Sequence, residues 1–212
     1  MKIEINLKII LLAILFFILK QLDIYLIFII FIAIHEISHL VIGMLVGLRP
    51  KVFSVNPLGF SIEFYMYKER KRSKKIITYL AGPISNFILA IIFMIIPITE
   101  KLKLEIVYTN LLLGMFNLLP IIPLDGGKIL KEIITPKLGN KDATIFMNNV
   151  TQIVLIAITV LYSVAILRIK NFAIFLLIVY LWYLKYLEDR KVRTVIKAYE
   201  VVDEINKETK LY

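Results

Sequence analysis

The stretch FIAIHEISHLVIG, Phe31–Gly43, decides the fold and raises the question of function. It places two histidines and a glutamate inside an apolar run that is long enough to cross a membrane. A charged side chain at the bilayer centre costs about 2.5–3.5 kcal/mol on insertion scales, so such groups are usually functional. The stretch therefore predicts a membrane-spanning helix that carries a chemical site.

The composition of the whole chain indicates a membrane protein. Of its 212 residues 59% are hydrophobic, above the roughly 45–50% apolar content of soluble domains. The net charge of +10 does not require nucleic acid, because the basic residues lie in short segments between apolar runs, where they orient the chain in a membrane. Because the chain has no cysteine, disulfides, thiolate zinc clusters and cysteine nucleophiles are excluded.

Apolar runs predict an all-α polytopic membrane protein with about six transmembrane helices. The first run resembles a signal peptide, but no small-residue cleavage site follows it, so we expect it to be retained as a span. The six predicted spans are Leu7–Leu22, Ile24–Gly47, Ile76–Ile98, Leu104–Leu119, Ile145–Leu167 and Phe172–Leu187.

Basic residues predict the orientation of these spans. The segments Arg49–Lys75 and Lys128–Lys141 and the tail after Leu187 are basic, so they are expected on the cytoplasmic side, as are both termini. We expect one membrane domain, residues 1–187, followed by a cytoplasmic tail, residues 188–212. Apolar residues at helical spacing predict an amphipathic helix over Arg190–Asn206.

One segment between the second and third spans has the pattern of strands. Within KVFSVNPLGFSIEFYMYK, Lys51–Lys68, two β-branched and aromatic runs flank Asn56-Pro57-Leu58-Gly59, a favourable turn sequence. We predict a small membrane-associated β-hairpin, Val52–Tyr67.

The motif that carries chemistry is His35-Glu36-Ile37-Ser38-His39, an H-E-x-x-H sequence. Residues four apart share one helix face, so both imidazoles can bind one metal ion. Glu36 lies beside the first ligand and is placed to act as a general base. Zinc lowers the pKa of a bound water to about 7 and polarises carbonyl groups, the two effects that a hydrolase needs.

A catalytic zinc site usually has three protein ligands. The best candidate for the third is Asp125, in the stretch NLLPIIPLDGG at the end of the fourth predicted span. Pro120 and Pro123 break the helix there, and broken backbone at membrane depth is tolerated where it is buried or lines a wet cavity. The alternative is an ordinary helix-end turn. Spacing alone gives Asn117 no role.

These motifs resemble the site-2 protease family of intramembrane zinc metalloproteases. HEISH is followed by Asn117 eight residues before Asp125-Gly126, and by AGPISN, Ala81–Asn86, which is similar to the family's Gly-Pro-x-x-Asn signature. The resemblance implies His35, His39 and Asp125 as ligands of one zinc ion, Glu36 as catalytic acid and base, and Asn117 as a catalytic residue near the metal.

The third span has a structural interpretation as well. Gly82 lets two helix backbones pack closely and Pro83 kinks the span. Asn86 hydrogen-bonds either near the metal or across helices, and we favour the structural role.

The resemblance also implies a substrate and a location. The compact layout looks most like the branch of stage IV sporulation protease FB, which cleaves the pro-sequence of a sporulation sigma factor in a bacterial cell membrane. About 25 residues follow the last span, too few for that branch's nucleotide-sensing CBS domain. The expected partners are a membrane-associated protein substrate, the lipid bilayer and an inhibitory membrane protein, without nucleic acid.

Two other classes of protein are consistent with parts of the pattern. A non-catalytic transporter or scaffold with a metal site would also place histidine and aspartate in the membrane, but a transporter predicts further charges along a path. A serine rhomboid protease would need a nucleophile motif such as G-x-S-x-G, which is absent from the sequence.

Overall fold

The computed structural model describes residues 2–5, 22–56, 59–64, 71–169 and 172–208. Across these residues the chain forms three strands and five helices. It divides into two compact units, Met1–Leu118 and Leu119–Tyr212. The first predicted span, Leu7–Leu22, lies outside the described residues except for its last position.

The described part of the first unit contains three helices: α1, Leu22–Leu45; α2, Arg72–Ile95; and α3, Glu100–Asn117. Helices α1 and α2 each have 24 residues, about 36 Å of helix against roughly 30 Å for the hydrocarbon core of a bilayer. Helix α3 starts at Glu100 rather than at the predicted Leu104 because charged residues with good helix propensity extend it.

The end of α1 is set by a glycine. Gly47 adopts φ +84°, and its N–H donates to the carbonyl of Met44 at 2.9 Å while that of Leu48 donates to Gly43 at 2.8 Å. This pair of bonds is the Schellman motif, in which a left-handed residue satisfies the last helical carbonyls. The chain thereby turns from α1 directly into the sheet.

The helices of the first unit are apolar on both their inner and outer faces. Phe31, Ile106 and Leu113 form the buried cluster, and Phe93 meets Phe31 edge-on at a centroid distance of 5.6 Å. Large apolar side chains also point outward, among them Ile30, Ile37, Ile91 and Leu112. An apolar exterior of this kind is suited to lipid rather than water.

The first unit also holds a three-stranded sheet in the order β1-β2-β3. Its strands are β1, Lys2–Ile5; β2, Pro50–Asn56; and β3, Gly59–Phe64. β2 and β3 pair antiparallel, with Val55 opposite Phe60, whereas β1 pairs parallel to β2, with Lys2 opposite Val52. The predicted hairpin falls on β2 and β3; its residues 57–58 and 65–67 lie outside the described residues.

Strand β1 is missing from the sequence-based prediction. Its four residues lead straight into an apolar run, so their alternation is too short to stand out as a strand. Its partner β2 is distant in sequence, and only the pairing reveals it.

The second unit contains helices α4, Asp125–Ile169, and α5, Phe172–Glu208. Gly139 breaks α4, with φ +80° and ψ +168°, so α4 consists of two helical segments. The basic segment Lys128–Lys141 is therefore largely helical. Helix α5 joins the sixth predicted span to the predicted tail helix without interruption, because charged residues continue a helix as well as apolar ones do.

A buried lysine connects α4 and α5. The Lys185 ammonium donates to Asn148 Oδ1 at 3.0 Å and to the carboxylate of Asp189 one turn further along α5. Trp182 Nε1 also donates across the two helices, to Thr159 Oγ1 at 3.1 Å. These polar contacts fix how the two helices pair.

Among the described residues, three helices are long and apolar enough to cross a membrane: α1, α2 and the part Asp125–Val164 of α4. Helix α3 has 18 residues and begins with a charged turn. The number of six spans stays a prediction.

Candidate metal centre

Two histidines meet inside the first unit, on the second half of α1. His35 and His39 are 1% and 5% exposed, and their rings stand edge to face at a centroid distance of 4.7 Å. One helical turn separates them, so their side chains project from the same face. Their Nε2 atoms lie 3.1 Å apart.

The other ring nitrogen of each histidine is held by an oxygen acceptor. His35 Nδ1 lies 2.5 Å from Asn86 Oδ1, and His39 Nδ1 lies 2.6 Å from the backbone carbonyl of Thr78. Because an oxygen of this kind can only accept, each Nδ1 carries a proton, and in the neutral ring Nε2 then keeps its lone pair. This tautomer is the one that a metal-binding histidine presents when its outer nitrogen is hydrogen-bonded.

The separation of the two Nε2 atoms fits a zinc ion. Two nitrogen ligands at about 2.0–2.1 Å from a tetrahedral zinc lie about 3.3 Å apart, close to the 3.1 Å observed here. Two lone pairs at this distance repel each other unless a cation or proton lies between them. The histidines therefore provide two ligands in the right chemical form.

Gly82 leaves the space in front of these nitrogens open. A Cβ atom at this position would lie 2.5 Å from Nε2 of His35 and similarly close to Nε2 of His39. We expected Gly82 to let two helix backbones pack closely. The close approach at Gly82 is instead between α2 and the imidazole rings of α1. No larger residue fits there while the rings keep their places.

Two asparagines extend the polar interior behind His35. Asn86 Nδ2 donates to Asn110 Oδ1 at 3.0 Å, and Asn110 Nδ2 donates to the carbonyl of Ile106 at 2.9 Å. Both side chains are fully buried. The preference for a purely structural Asn86 is wrong, because its oxygen contacts a candidate metal ligand.

The remaining predicted residues of the first unit are Glu36 and Asn117. Glu36 follows His35 on α1 and is partly buried. Asn117, at the end of α3, donates from Nδ2 to the carbonyl of Leu113 on its own helix at 3.0 Å. That bond uses one of its two amide N–H donors and leaves its carbonyl oxygen for another partner.

Asp125 belongs to the second unit, where it is the first residue of α4. Its side chain is 7% exposed and its Oδ1 lies 3.3 Å from the ammonium of Lys128. A carboxylate at a helix N-terminus is stabilised by the helix dipole. Asp125 is therefore buried beside a lysine at the start of a helix.

The turn before Asp125 is fixed by close backbone packing. A Cβ atom at Gly127 would lie 2.5 Å from the carbonyl carbon of Ile121, and the N–H of Ile122 donates to Thr151 Oγ1 at 3.0 Å. The Ile122–Pro123 peptide bond is cis. The glycine at position 127 is thus explained by the turn that folds back on α4.

Sequence reasoning missed three contributors to this region: Asn110, the carbonyl of Thr78 and the space at Gly82. A signal existed for Asn110, since it is a polar residue in the middle of an apolar helix. None existed for the Thr78 carbonyl, because every residue has one.

Comparison with solved structures places the fold in a known class. The site-2 protease from Methanocaldococcus jannaschii superposes with a TM-score of 0.70 over 88% of this chain and 89% of that chain, at 21% sequence identity. The chain therefore has the site-2 protease fold. Its sequence matches peptidase family M50 over residues 24–102 and 99–161, which is well over half of the chain, so the chain belongs to this family.

Curated relatives agree with this assignment over part of their length. A zinc metalloprotease of Methanocaldococcus jannaschii is 28% identical over 126 residues, and stage IV sporulation protein FB of Bacillus subtilis is 28% identical over 109 residues. These matches cover 56% and 50% of this chain but only 36% and 38% of the relatives. The chain thus matches little more than a third of the length of either relative.

Proposed function

We propose that the chain is an intramembrane zinc metalloprotease of the site-2 type, which hydrolyses a peptide bond in or near the membrane segment of a protein substrate. The observation that carries the proposal is the histidine pair of α1, whose two Nε2 lone pairs face each other 3.1 Å apart. Membership of a peptidase family gives this pair its chemical context.

His35, His39 and Asp125 are the proposed ligands of one zinc ion. Two imidazoles and a carboxylate suit zinc and leave a fourth position open for water or substrate. Asp125 is buried with a cationic partner, Lys128, and the ion would take over as its counter-charge. The spacing of Asn117 and Asp125 in the sequence supports the same assignment.

Glu36 is the proposed general base and acid. When bound, zinc supplies Lewis acidity, which polarises the scissile carbonyl and acidifies water. The Glu36 carboxylate takes a proton from the attacking water while the oxygen bonds to the carbonyl carbon. It then delivers this proton to the amide nitrogen as the C–N bond breaks. We propose that Asn117 holds the substrate near the metal. Its side-chain oxygen would accept a hydrogen bond from the substrate, or its amide would rotate and donate one.

The sheet offers a way to hold an extended substrate. Among the described strands, β3 pairs with β2 alone, and a peptide can add to the other edge of such a strand by backbone hydrogen bonds. We propose that β2 and β3 form a hairpin against the membrane face and that a substrate strand pairs with β3.

A proline within β3 tests this part of the proposal. Ile62→Pro removes a backbone N–H and should lower the rate of cleavage at least tenfold, while the zinc content stays at one per chain. Ile62→Ala keeps the N–H and is the matched control. Equal cleavage by the two variants would contradict substrate pairing at β3.

The chain is proposed to be a multi-pass protein of a bacterial cell membrane with six spans and both termini cytoplasmic. β1 and β2 lie in one sheet, and α1, which connects to β2, is a candidate span. If α1 crosses the membrane once, the chain between β1 and α1 must cross once more, which supports a span at Leu7–Leu22. The proposed division is a membrane domain, residues 1–187, and a tail, residues 188–212.

The proposed substrate is a membrane-associated protein, with the pro-sequence of a sporulation sigma factor as the first one to test. The support is the similarity to stage IV sporulation protein FB. On the same similarity, we propose an inhibitory membrane protein as a regulatory partner.

The first experiment measures zinc content and peptide cleavage of the detergent-purified protein and three variants. We expect about one zinc per chain in the parent and in Glu36→Gln, with cleavage lost in Glu36→Gln. Asp125→Ala should lose both, whereas Asp142→Ala, an exposed aspartate of the same unit, should keep both. A parent without metal after zinc reconstitution would overturn the proposal, and a parent that binds zinc but cleaves no peptide would favour a scaffold.

A further inference from the structure

A chain of three buried hydrogen bonds in the first unit starts at a backbone carbonyl and ends at a proposed zinc ligand. It runs from Ile106 through Asn110 and Asn86 to His35, with distances of 2.9, 3.0 and 2.5 Å. Asn110 lies on α3, which contributes no proposed metal ligand. This arrangement gives a direction to every bond in the chain.

The direction follows from the Ile106 carbonyl, which can only accept. The Asn110 atom that faces it must therefore be the amide nitrogen, so the Asn110 oxygen faces Asn86. Asn86 must therefore donate from its own amide nitrogen to Asn110, and its oxygen then faces His35. His35 has to donate from Nδ1, so in the neutral ring its Nε2 is left unprotonated.

We infer that Asn110 is a positioning residue that sets the tautomer of His35, and so its readiness to bind zinc, through Asn86. This inference rests on the proposed zinc site. Without Asn110, the Asn86 amide is free to turn over and present its N–H groups to His35, which would favour the proton on Nε2, where the metal must bind. The Nδ1 proton of His39 is held separately from this chain, by the Thr78 carbonyl.

A purely structural role for Asn110 makes a different prediction. Asparagines that bond across helices can simply hold those helices together. In that case removal of Asn110 would lower stability and affect both histidines alike. The two roles are distinguished by the tautomer of each histidine.

The protein is well suited to this measurement because its sequence has only two histidines. Labelling with ¹⁵N-histidine gives signals from His35 and His39 alone, and ¹⁵N shifts separate protonated from unprotonated ring nitrogens. The zinc-free protein is used, so the result does not depend on metal binding. His35→Gln and His39→Gln assign the two sets of signals.

We expect both rings of the parent to carry the proton on Nδ1. Asn110→Leu should convert His35 to a mixture of tautomers and leave His39 unchanged, and zinc affinity, measured by chelator competition, should fall roughly ten- to a hundredfold. Asn110→Asp should rescue both readouts, since one carboxyl oxygen accepts from Asn86 and the other, protonated, donates to Ile106. Tyr108→Leu, at an exposed position of α3, is the neutral control.

Asn110→Ser provides a second test that does not require a large apolar residue to fit. A serine hydroxyl can bond the Ile106 carbonyl, as Thr135 and Thr159 bond carbonyls one turn back, but it is too short to reach Asn86. It should change the tautomer as Asn110→Leu does. An unchanged His35 in both variants, or an equal change in both histidines, would overturn the inference. A parent that binds no zinc would overturn the proposed function and leave the tautomer result to stand by itself.

Discussion

Gly82 has no room for a side chain while the two imidazoles keep their positions. Its missing side chain leaves room for the two Nε2 atoms, and a methyl group there would lie 2.5 Å from Nε2 of His35. Contacts that short do not occur between carbon and nitrogen, so the rings would have to turn. Turning them breaks the bonds to Asn86 or to the Thr78 carbonyl.

We predict that Gly82→Ala lowers zinc affinity at least tenfold, because the added methyl group displaces the imidazoles from their ligand geometry. Chelator competition on the purified protein measures this. Gly114→Ala is the matched control, since its Cβ would meet only the ring of Phe87, at 3.0 Å. It should lower the unfolding temperature and keep the zinc affinity. Tight zinc binding by Gly82→Ala would contradict the geometry.

At this scale the sequence reveals residues whose type and spacing are diagnostic. His35, Glu36 and His39 are recognisable because three polar groups in one turn of an apolar helix have few structural uses. Asn110 is visible as a polar residue in an apolar helix, but its role is not, because a single asparagine in a span serves packing or chemistry equally well and only its contacts distinguish the two. Gly82 is identified as a position of close approach, but the approaching group becomes known only from the structure.

The sheet and the helices are connected by one aromatic side chain. Phe64, at the end of β3, is buried, and its ring lies against Gly43 of α1, which the methyl group of Thr78 of α2 also approaches. Gly43 is one turn beyond His39, and the carbonyl of Thr78 holds the ring of His39. The strand proposed to bind substrate is therefore packed against the support of a proposed ligand.

A double-mutant cycle tests this contact. Gly43→Ala should destabilise the protein, because its Cβ would lie 2.5 Å from the Phe64 ring, by about 1–3 kcal/mol as overpacked cores do. Phe64→Leu alone should cost a similar amount through lost packing. The double variant should be more stable than the sum predicts by at least about 0.5 kcal/mol, because each change relieves the other. Thermal unfolding in detergent measures all four proteins, and strict additivity would argue against the contact.

Elements are predictable where a single periodicity extends over many residues. Helices α1 and α2 follow from long apolar runs, and the break between β2 and β3 follows from Asn56-Pro57. β1 could not be predicted, because its pairing joins residues far apart in sequence. The continuity of α5 could not be predicted for another reason. A change from apolar to charged residues indicates that the helix leaves the membrane for water, but it does not indicate whether the helix ends there.

The sheet also constrains how the whole chain crosses the membrane. β1 and β2 lie side by side, so the residues that form them must be on one side. Thr99 follows β3 after one candidate span, α2, and is expected on the other. Because the chain has no cysteine, single cysteines can report these positions one at a time.

We predict that cysteines at Lys2 and Lys51 react with a membrane-impermeant maleimide from the same side of sealed vesicles, and that a cysteine at Thr99 reacts only from the opposite side. Right-side-out and inverted vesicles give the two sides, and vesicles opened with detergent give full labelling as the control. Labelling of Lys2→Cys together with Thr99→Cys would contradict the retained first span.

The parallel pairing of β1 with β2 has a consequence for the order of synthesis. About 45 residues separate the two strands, so at 5–20 residues per second the ribosome makes β1 roughly 2–9 s before its partner exists. During that interval β1 cannot pair with β2, and α1 is synthesised before the pairing becomes possible. The sheet can therefore close only after α1 has left the ribosome, so the pairing of β1 with β2 marks the completion of this part of the fold.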